Sequence, residues 1–110
     1  MRNLPMQAED RIRLKHMVEA AQAAQAFMVG RKRADLDADQ MLLFAVVRAI
    51  EIVGEAATRV TAETRSAAPG IPWPAMIGMR NRVVHAYFNI DREIVWKTVT
   101  VELPQLLPAL

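Results

Sequence analysis

The stretch "ADQMLLFAVVRAIEIVGEAATRVTAETR", residues 38 to 65, decides the fold because its apolar residues recur at steps of three and four. This spacing places them on one face of an α-helix, and we predict one long helix over residues 38–65 with a broad buried side. The face includes Leu43, Val47, Ile50, Gly54 and Ala57. Gly54 costs about 1 kcal/mol relative to alanine inside a helix, so we expect a close helix crossing there.

A second amphipathic helix is predicted before it, from Glu9 to about Val29, with Gly30 as its C-terminal stop. The residues expected to face the core are Leu14, Met17, Ala21, Ala24 and Met28. Asp37 followed by Gln40 has the spacing of an N-terminal capping pair for the long helix.

After the long helix, "APGIPWP" at residues 68–74 interrupts the pattern with three prolines and a glycine. Pro74 suits a first helical turn, and we predict a third helix from Pro74 to Phe88. The segment "RVVHAYF" within it also has strand-forming residues, but its flanks and length favour a helix. Asp91 is the expected N-cap of a last helix, which Pro104 should kink or end. Four helices with short connections predict an all-α, up-and-down four-helix bundle.

Bulk composition predicts a single domain spanning residues 1–110, since 110 residues with 53% hydrophobic content suffice for one core. The net charge of +2 is too small for a protein that coats nucleic acid by bulk electrostatics. No cysteine is present, so disulfides and thiolate metal sites are excluded. No apolar run approaches the ~20 residues of a membrane span, and we expect a cytoplasmic protein.

The stretch "MRNRVVHAYFNID", residues 79–91, gathers polar residues on the predicted third helix. At about 100° per residue, Arg80 and Tyr87 share one line of that helix, whereas Asn81 and His85 form an i,i+4 pair on an adjacent line. Arg80 and His85 then diverge by about 140°, so one helix does not aim both at a small target. Two copies packed through Val84 and Phe88 would bring both sets into one cleft, and we expect a homodimer through this helix.

A histidine beside arginines suits phosphodiester chemistry. Neutral imidazole can take a proton from a ribose 2′-hydroxyl near pH 7, and guanidinium can hold phosphate oxygens. His16 and His85 are the two histidines, and neither is in a metal-ligand pattern, so a zinc or two-metal nuclease is disfavoured. The alternative is structural: a half-buried histidine, with arginines that pair with carboxylates. We assign His16 to solvent.

Other conspicuous residues have a structural and a functional interpretation. Charged residues recur along the long helix at Arg48, Glu51, Glu55 and Arg59. A solvated, mutually paired stripe is favoured, but Glu51 or Glu55 could instead face the third helix and orient Arg80 or His85, with a slight preference for Glu55. The basic "GRKR" at residues 30–33 is either a solvated loop or a source of phosphate contacts. Trp73 and Trp96 are expected to be core anchors.

Three segments together resemble a known family: "EIVGEAA", "IPWPAMIGMRNRVVHAYFNID" and "VWKTVTVELPQL". Their order and spacing resemble the HepT-like branch of the HEPN superfamily over about residues 10–110. Its R-x-x-x-x-H-x-Y hallmark is matched by Arg80, His85 and Tyr87, with Asn81 as the polar residue after the arginine.

The resemblance implies a dimeric four-helix bundle that cuts RNA without a metal or other cofactor. It further implies a toxin–antitoxin module whose antitoxin, an MntA-type minimal nucleotidyltransferase, transfers AMP to Tyr87. The leading hypothesis is therefore a ribonuclease toxin with Arg80, His85 and Asn81 as catalytic residues and Glu55 in support. The alternative is a non-catalytic module that binds a nucleotide or the nucleotidyltransferase.

Overall fold

A computed structural model describes residues 7–86 and 89–110, and the side chains of His85 and Ala86 lie outside that description. The first half contains α1 (Ala8–Met28), α2 (Asp35–Ala38), α3 (Gln40–Thr58) and α4 (Ala62–Ala67). The second half contains α5 (Trp73–Ile77), α6 (Met79–Val83), β1 (Val84–Ala86), β2 (Asn89–Ile90), α7 (Arg92–Lys97), a π-turn (Thr98–Glu102), α8 (Leu103–Leu106) and a 3₁₀ turn (Leu107–Ala109).

The predicted all-α four-helix bundle is confirmed, with α1, α3, the α5–α6 pair and the α7–α8 segment as its helical layers. The long helices α1 and α3 pack against each other, and α3 also contacts α5 and α6. The predicted core face of α3 is buried along its whole length, and that of α1 is buried except for the half-buried Leu14. Gly30 follows α1 with φ +72°, a conformation that glycine adopts without strain, which confirms it as the stop.

The prediction of a single long helix over residues 38–65 was wrong at both ends. Its N-cap is Asp39, whose Oδ1 accepts from the Leu42 amide at 3.0 Å, and the predicted Asp37–Gln40 capping pair does not form because residues 35–38 belong to the separate α2. Its last residue is Thr58, whose hydroxyl donates to the Gly54 carbonyl at 2.8 Å. The Thr58 hydroxyl also donates to the Glu55 carbonyl at 2.8 Å, the group to which the Arg59 amide would donate if the helix continued, and this competition helps to end α3.

A buried carboxylate fixes the break after α3. Asp10 on α1 is fully buried and accepts from the Thr61 amide at 3.0 Å, the Thr61 hydroxyl at 2.6 Å and the Thr64 hydroxyl at 2.5 Å. Thr61 is also the N-cap of α4. A carboxylate on a distant helix therefore starts α4 where local periodicity favoured continuation.

The third helix also differs from the prediction. It begins at Trp73 with Pro74 in its first turn, as predicted, but α5 ends at Ile77 and α6 ends at Val83. Residues 84–86 are extended and pair antiparallel with Asn89–Ile90, and the Asp91 amide donates to the Val83 carbonyl at 2.8 Å. The β-branched pair Val83–Val84 favours this extended path. The predicted helix to Phe88 was therefore wrong, and so was its helical placement of His85 relative to Arg80.

Gly54 lies where α3 crosses the α5–α6 pair. A Cβ atom built on Gly54 would lie 3.3 Å from the Met76 carbonyl oxygen and 3.7 Å from the Arg80 amide nitrogen. The predicted close crossing is confirmed, and it brings the backbone at Arg80 against α3.

Both tryptophans contact the core. Trp73 is buried, and its indole Nε1 donates to the Ala68 carbonyl at 3.1 Å. Trp96 packs against the core while partly exposed.

The last helical segment starts as predicted, with Asp91 accepting from the Ile94 amide at 3.1 Å. It continues beyond Pro104 instead of ending there. The π-turn at residues 98–102 precedes α8, and the Leu103 amide donates to the Thr98 carbonyl five residues earlier. Because Pro104 lacks an amide hydrogen for the Thr100 carbonyl, this change of hydrogen-bond pattern accommodates the proline. Among the described residues, none of the helices has both the length and the hydrophobicity that a membrane span requires.

Candidate active site around Arg80

Arg80, in the first turn of α6, forms an ion pair with Glu51 on α3. The Arg80 Nε atom lies 3.2 Å from Glu51 Oε2, and the two side chains are 50% and 21% exposed. Glu51 comes one helical turn before Gly54, where a Cβ atom would lie 3.7 Å from the Arg80 amide nitrogen. The guanidinium is thus held from one side by a partly buried carboxylate and open to solvent on the other.

The charged stripe of α3 continues from this pair. Arg48 Nη1 lies 3.2 Å from Glu55 Oε1 and 4.0 Å from Glu51 Oε1. Both interpretations of the stripe therefore apply: its members pair with each other, and one of them reaches the motif. The contacting carboxylate is Glu51, while Glu55, the residue preferred from the sequence, contacts Arg48 instead.

The other motif residues are placed to different extents. Asn81 is exposed, and its Oδ1 accepts from Arg80 Nη1 at 3.4 Å. The backbone of His85 lies in β1, directly after the helix that carries Arg80 and Asn81. Tyr87 lies outside the described residues. His16 is exposed on α1, as predicted.

Sequence reasoning missed Arg82, which is two residues beyond Arg80. Its Nη2 atom donates to Glu102 Oε1 at 3.0 Å and to the Ala75 carbonyl at 3.2 Å. Ala75 belongs to the last turn of α5, whose carbonyls lack partners within that helix. Only the i,i+20 relation of an arginine and a glutamate could have indicated this pair, and such a relation is too common to be predictive.

The basic loop after α1 is paired with acidic residues. Arg33 lies 3.1 Å from Asp37 and 2.6 Å from Glu93, and these hydrogen bonds raise its pKa above the usual value. Arg31 lies 3.5 Å from Asp39. These contacts favour the loop as a connection between α1, α2 and α7 over a role in binding phosphates.

Chemically, the arrangement around Arg80 fits an anion. A guanidinium fixed by one carboxylate keeps its planar geometry and can present its open edge to two phosphate oxygens. An adjacent amide such as that of Asn81 can add a hydrogen bond to the same group. Within residues 7–86 and 89–110, apart from the undescribed side chains, no three histidine, cysteine, aspartate or glutamate side chains are grouped to hold a metal ion.

Comparisons with known proteins agree with this chemistry. The family model described as "Ribonuclease HepT-like" matches residues 17–110. A Thermococcus cleftensis protein named "Probable ribonuclease HepT" is 37% identical over 93 residues, which cover 84% of each chain. A Caldanaerobacter subterraneus protein named as a "Putative RNase" is 32% identical over 93 residues, which cover 84% of this chain and 83% of the relative. No solved structure matches the chain.

Proposed function

Since this chain belongs to the HepT-like ribonuclease family of the HEPN superfamily, we propose that it is an endoribonuclease that cuts RNA without a metal ion. The observation that carries the proposal is Arg80, half exposed and held by Glu51, with Asn81 beside it. A fixed, accessible guanidinium is a group that binds a phosphodiester and stabilises the charge of its transition state. The names of the relatives as ribonucleases support RNA as the substrate.

In the proposed reaction, His85 removes the proton from a ribose 2′-hydroxyl. The 2′-oxygen then attacks the adjacent phosphorus, the bond to the 5′-oxygen breaks, and a protonated group returns a proton to that leaving oxygen. Arg80 binds the phosphate oxygens as negative charge increases, and Asn81 orients the same group. The products are a 2′,3′-cyclic phosphate and a 5′-hydroxyl. The two proton transfers and the arginine's stabilisation of the negative charge complete the reaction, so no metal ion is needed.

The proposal includes a homodimer with the two motif segments in one cleft. The extended backbone at residues 84–86 changes the basis of the dimer proposal, because Arg80 and His85 do not lie on one helix and the argument from their divergence around it does not apply. What supports a dimer is the surplus of exposed apolar side chains on a chain of 110 residues, including Phe27, Met41 and Phe44. Sedimentation at micromolar protein should show twice the monomer mass of 12.3 kDa, and a monomer alone would contradict this part.

We further propose that the chain is a cytoplasmic toxin neutralised by a partner nucleotidyltransferase of the MntA type, which transfers AMP from ATP to Tyr87. The phenolic oxygen would attack the α-phosphorus of ATP and release pyrophosphate. A phosphate group attached close to Arg80 in sequence would compete with RNA for the guanidinium and repel the RNA backbone. Mass spectrometry should show a gain of one AMP on the parent and none on Tyr87→Phe.

The deciding experiment is RNA cleavage by purified protein in EDTA, with end-group analysis of the products. The parent should yield 2′,3′-cyclic phosphates, and His85→Ala and Arg80→Ala should each lose most of the rate, with His16→Ala as the matched histidine control. Equal rates for the parent and both motif variants would contradict the site. If no version cuts RNA and the motif variants instead bind the nucleotidyltransferase more weakly, the chain is a non-catalytic binding module.

A further inference from the structure

The short helix α6 is held by ion pairs on two sides. Arg80 pairs with Glu51 of α3 at 3.2 Å, and Arg82 pairs with Glu102 of the π-turn at 3.0 Å. Two residues along a helix correspond to about 200° of rotation, so the two arginines leave α6 in nearly opposite directions. Any rotation of α6 about its axis must therefore lengthen at least one pair.

The second pair also connects three elements through one nitrogen. Arg82 Nη2 donates both to Glu102 and to the Ala75 carbonyl at the end of α5. The Glu102 side chain is only 23% exposed, so its carboxylate is partly shielded from water and salt. This contact therefore constrains the orientation of the Arg82 side chain more tightly than a fully exposed ion pair would.

The π-turn sets where Glu102 points. A π-turn accommodates one extra residue in the helix, which shifts the residues on either side by about 100° relative to an uninterrupted α-helix. Such turns are frequent at functional sites. Glu102 is the last residue of this turn and comes two positions before Pro104.

We propose that Glu102 is a positioning residue of the nuclease site. Through Arg82 it fixes the rotation of α6, and with it the direction of the Arg80 guanidinium and the start of the strand that carries His85. This inference rests on the proposed ribonuclease function. It assigns Glu102 no contact with RNA, so its loss should reduce turnover more than RNA binding.

The test measures steady-state cleavage of a fluorogenic RNA oligonucleotide by Glu102→Ala, Arg82→Ala and the double variant. Glu93→Ala is the matched control, because Glu93 also pairs with an arginine of another element, Arg33, but lies away from α6. We expect kcat of Glu102→Ala to fall about tenfold, because displacing the reacting groups by a fraction of an ångström lowers the rate by about this factor. KM should stay within about twofold of the parental value. Glu102→Gln should recover part of the rate.

Thermal unfolding and the double variant separate positioning from general damage. The melting temperatures of Glu102→Ala and Glu93→Ala should agree within a few degrees, and the double variant should be no slower than the slower single one. Parental kcat in Glu102→Ala, or a rate loss that multiplies in the double variant, would overturn the inference.

Amide hydrogen exchange makes the inference independent of activity. If the parent cuts no RNA, the proposed function fails, and the constraint on α6 is judged from the amides of residues 79–84. Faster exchange in Glu102→Ala than in Glu93→Ala supports the constraint, and equal exchange overturns it.

Discussion

Arg80 of α6 and Glu51 of α3 form an ion pair of 3.2 Å one helical turn from the point where Gly54 lets the two backbones meet. With Arg80 half exposed, the pair contributes at most about 1 kcal/mol to folding. Its main consequence is that it orients the Arg80 guanidinium, whose Nη1 also donates to Asn81.

We expect Glu51→Gln to lower the rate of RNA cleavage about tenfold while changing the free energy of unfolding by less than about 1 kcal/mol. The loss follows from a less constrained Arg80 guanidinium. Glu55→Gln is the matched comparison, because Glu55 lies on the same helix and pairs with Arg48 rather than Arg80. A larger rate loss for Glu55→Gln than for Glu51→Gln, measured on the same oligonucleotide, would restore the preference made from the sequence.

A leucine at Gly54 should destabilise the fold. The nearest atoms to a Cβ at this position are the backbone carbonyls of Met76 and Ile77, which cannot move aside like a flexible side chain. The expected loss is about 1–3 kcal/mol of unfolding free energy, measured by urea denaturation. Gly70→Leu is the control, since a Cβ there meets no atom within 4 Å, and it should change stability by less than about 0.5 kcal/mol. Similar losses at both positions would show that α5 and α6 adjust to the larger side chain.

Helical periodicity predicted the parts of the fold that are set by burial along a single helix. Spacing alone predicts the buried faces of α1 and α3 and the crossing at Gly54. In a helix, the position of a residue in the sequence determines the side of the helix on which its side chain lies. Arg80 and Asn81 were singled out because their types indicate anion binding whatever the local backbone, and their role in catalysis stays a prediction. The expectation that a carboxylate of α3 could reach Arg80 agrees with the contact from Glu51.

The errors arose where distant contacts decide local structure. Asp10, 51 residues from Thr61, starts α4 by accepting its hydrogen bonds, and no periodicity reports such a partner. The strand after α6 depends on pairing with Asn89–Ile90, which a helical pattern over residues 82–88 does not reveal. Glu51 and Glu55 lie one helical turn apart on the same face of α3, so which of them contacts Arg80 depends on the position of α6 along α3, and only packing sets that position.

Replacement of Pro104 by alanine should have little effect on stability. A proline within a regular helix costs about 3 kcal/mol, but here the π-turn already supplies a different hydrogen bond, from the Leu103 amide to the Thr98 carbonyl. Pro104 then lies in the first turn of α8, where proline is tolerated. We expect Pro104→Ala to change the free energy of unfolding by less than about 1 kcal/mol, as should Pro74→Ala in the first turn of α5. A gain near 3 kcal/mol for Pro104→Ala alone would mean that the proline strains the helix.

The buried Asp10 carboxylate should make stability depend on acid pH. Hydrogen bonds from the Thr61 and Thr64 hydroxyls and from the Thr61 amide lower the pKa of Asp10 below its usual value. A carboxylate with a lowered folded pKa stabilises the fold above its unfolded pKa of about 3.9, and this stabilisation is lost as pH falls through the lower folded value.

Asp10→Asn should therefore unfold at a lower temperature than the parent at pH 7, since an amide replaces one acceptor oxygen with a donor that faces the threonine hydroxyls. The difference in melting temperature should begin to narrow as the pH falls below about 3.9, because the unfolded parent binds a proton there, and the folded carboxylate loses its charge only at a still lower pH. Circular dichroism melts between pH 7 and pH 2 measure this, with Glu9→Gln as the control because Glu9 is the exposed acid next to it. A difference in melting temperature that stays constant over this range would show that the charge of the Asp10 carboxylate does not stabilise the start of α4.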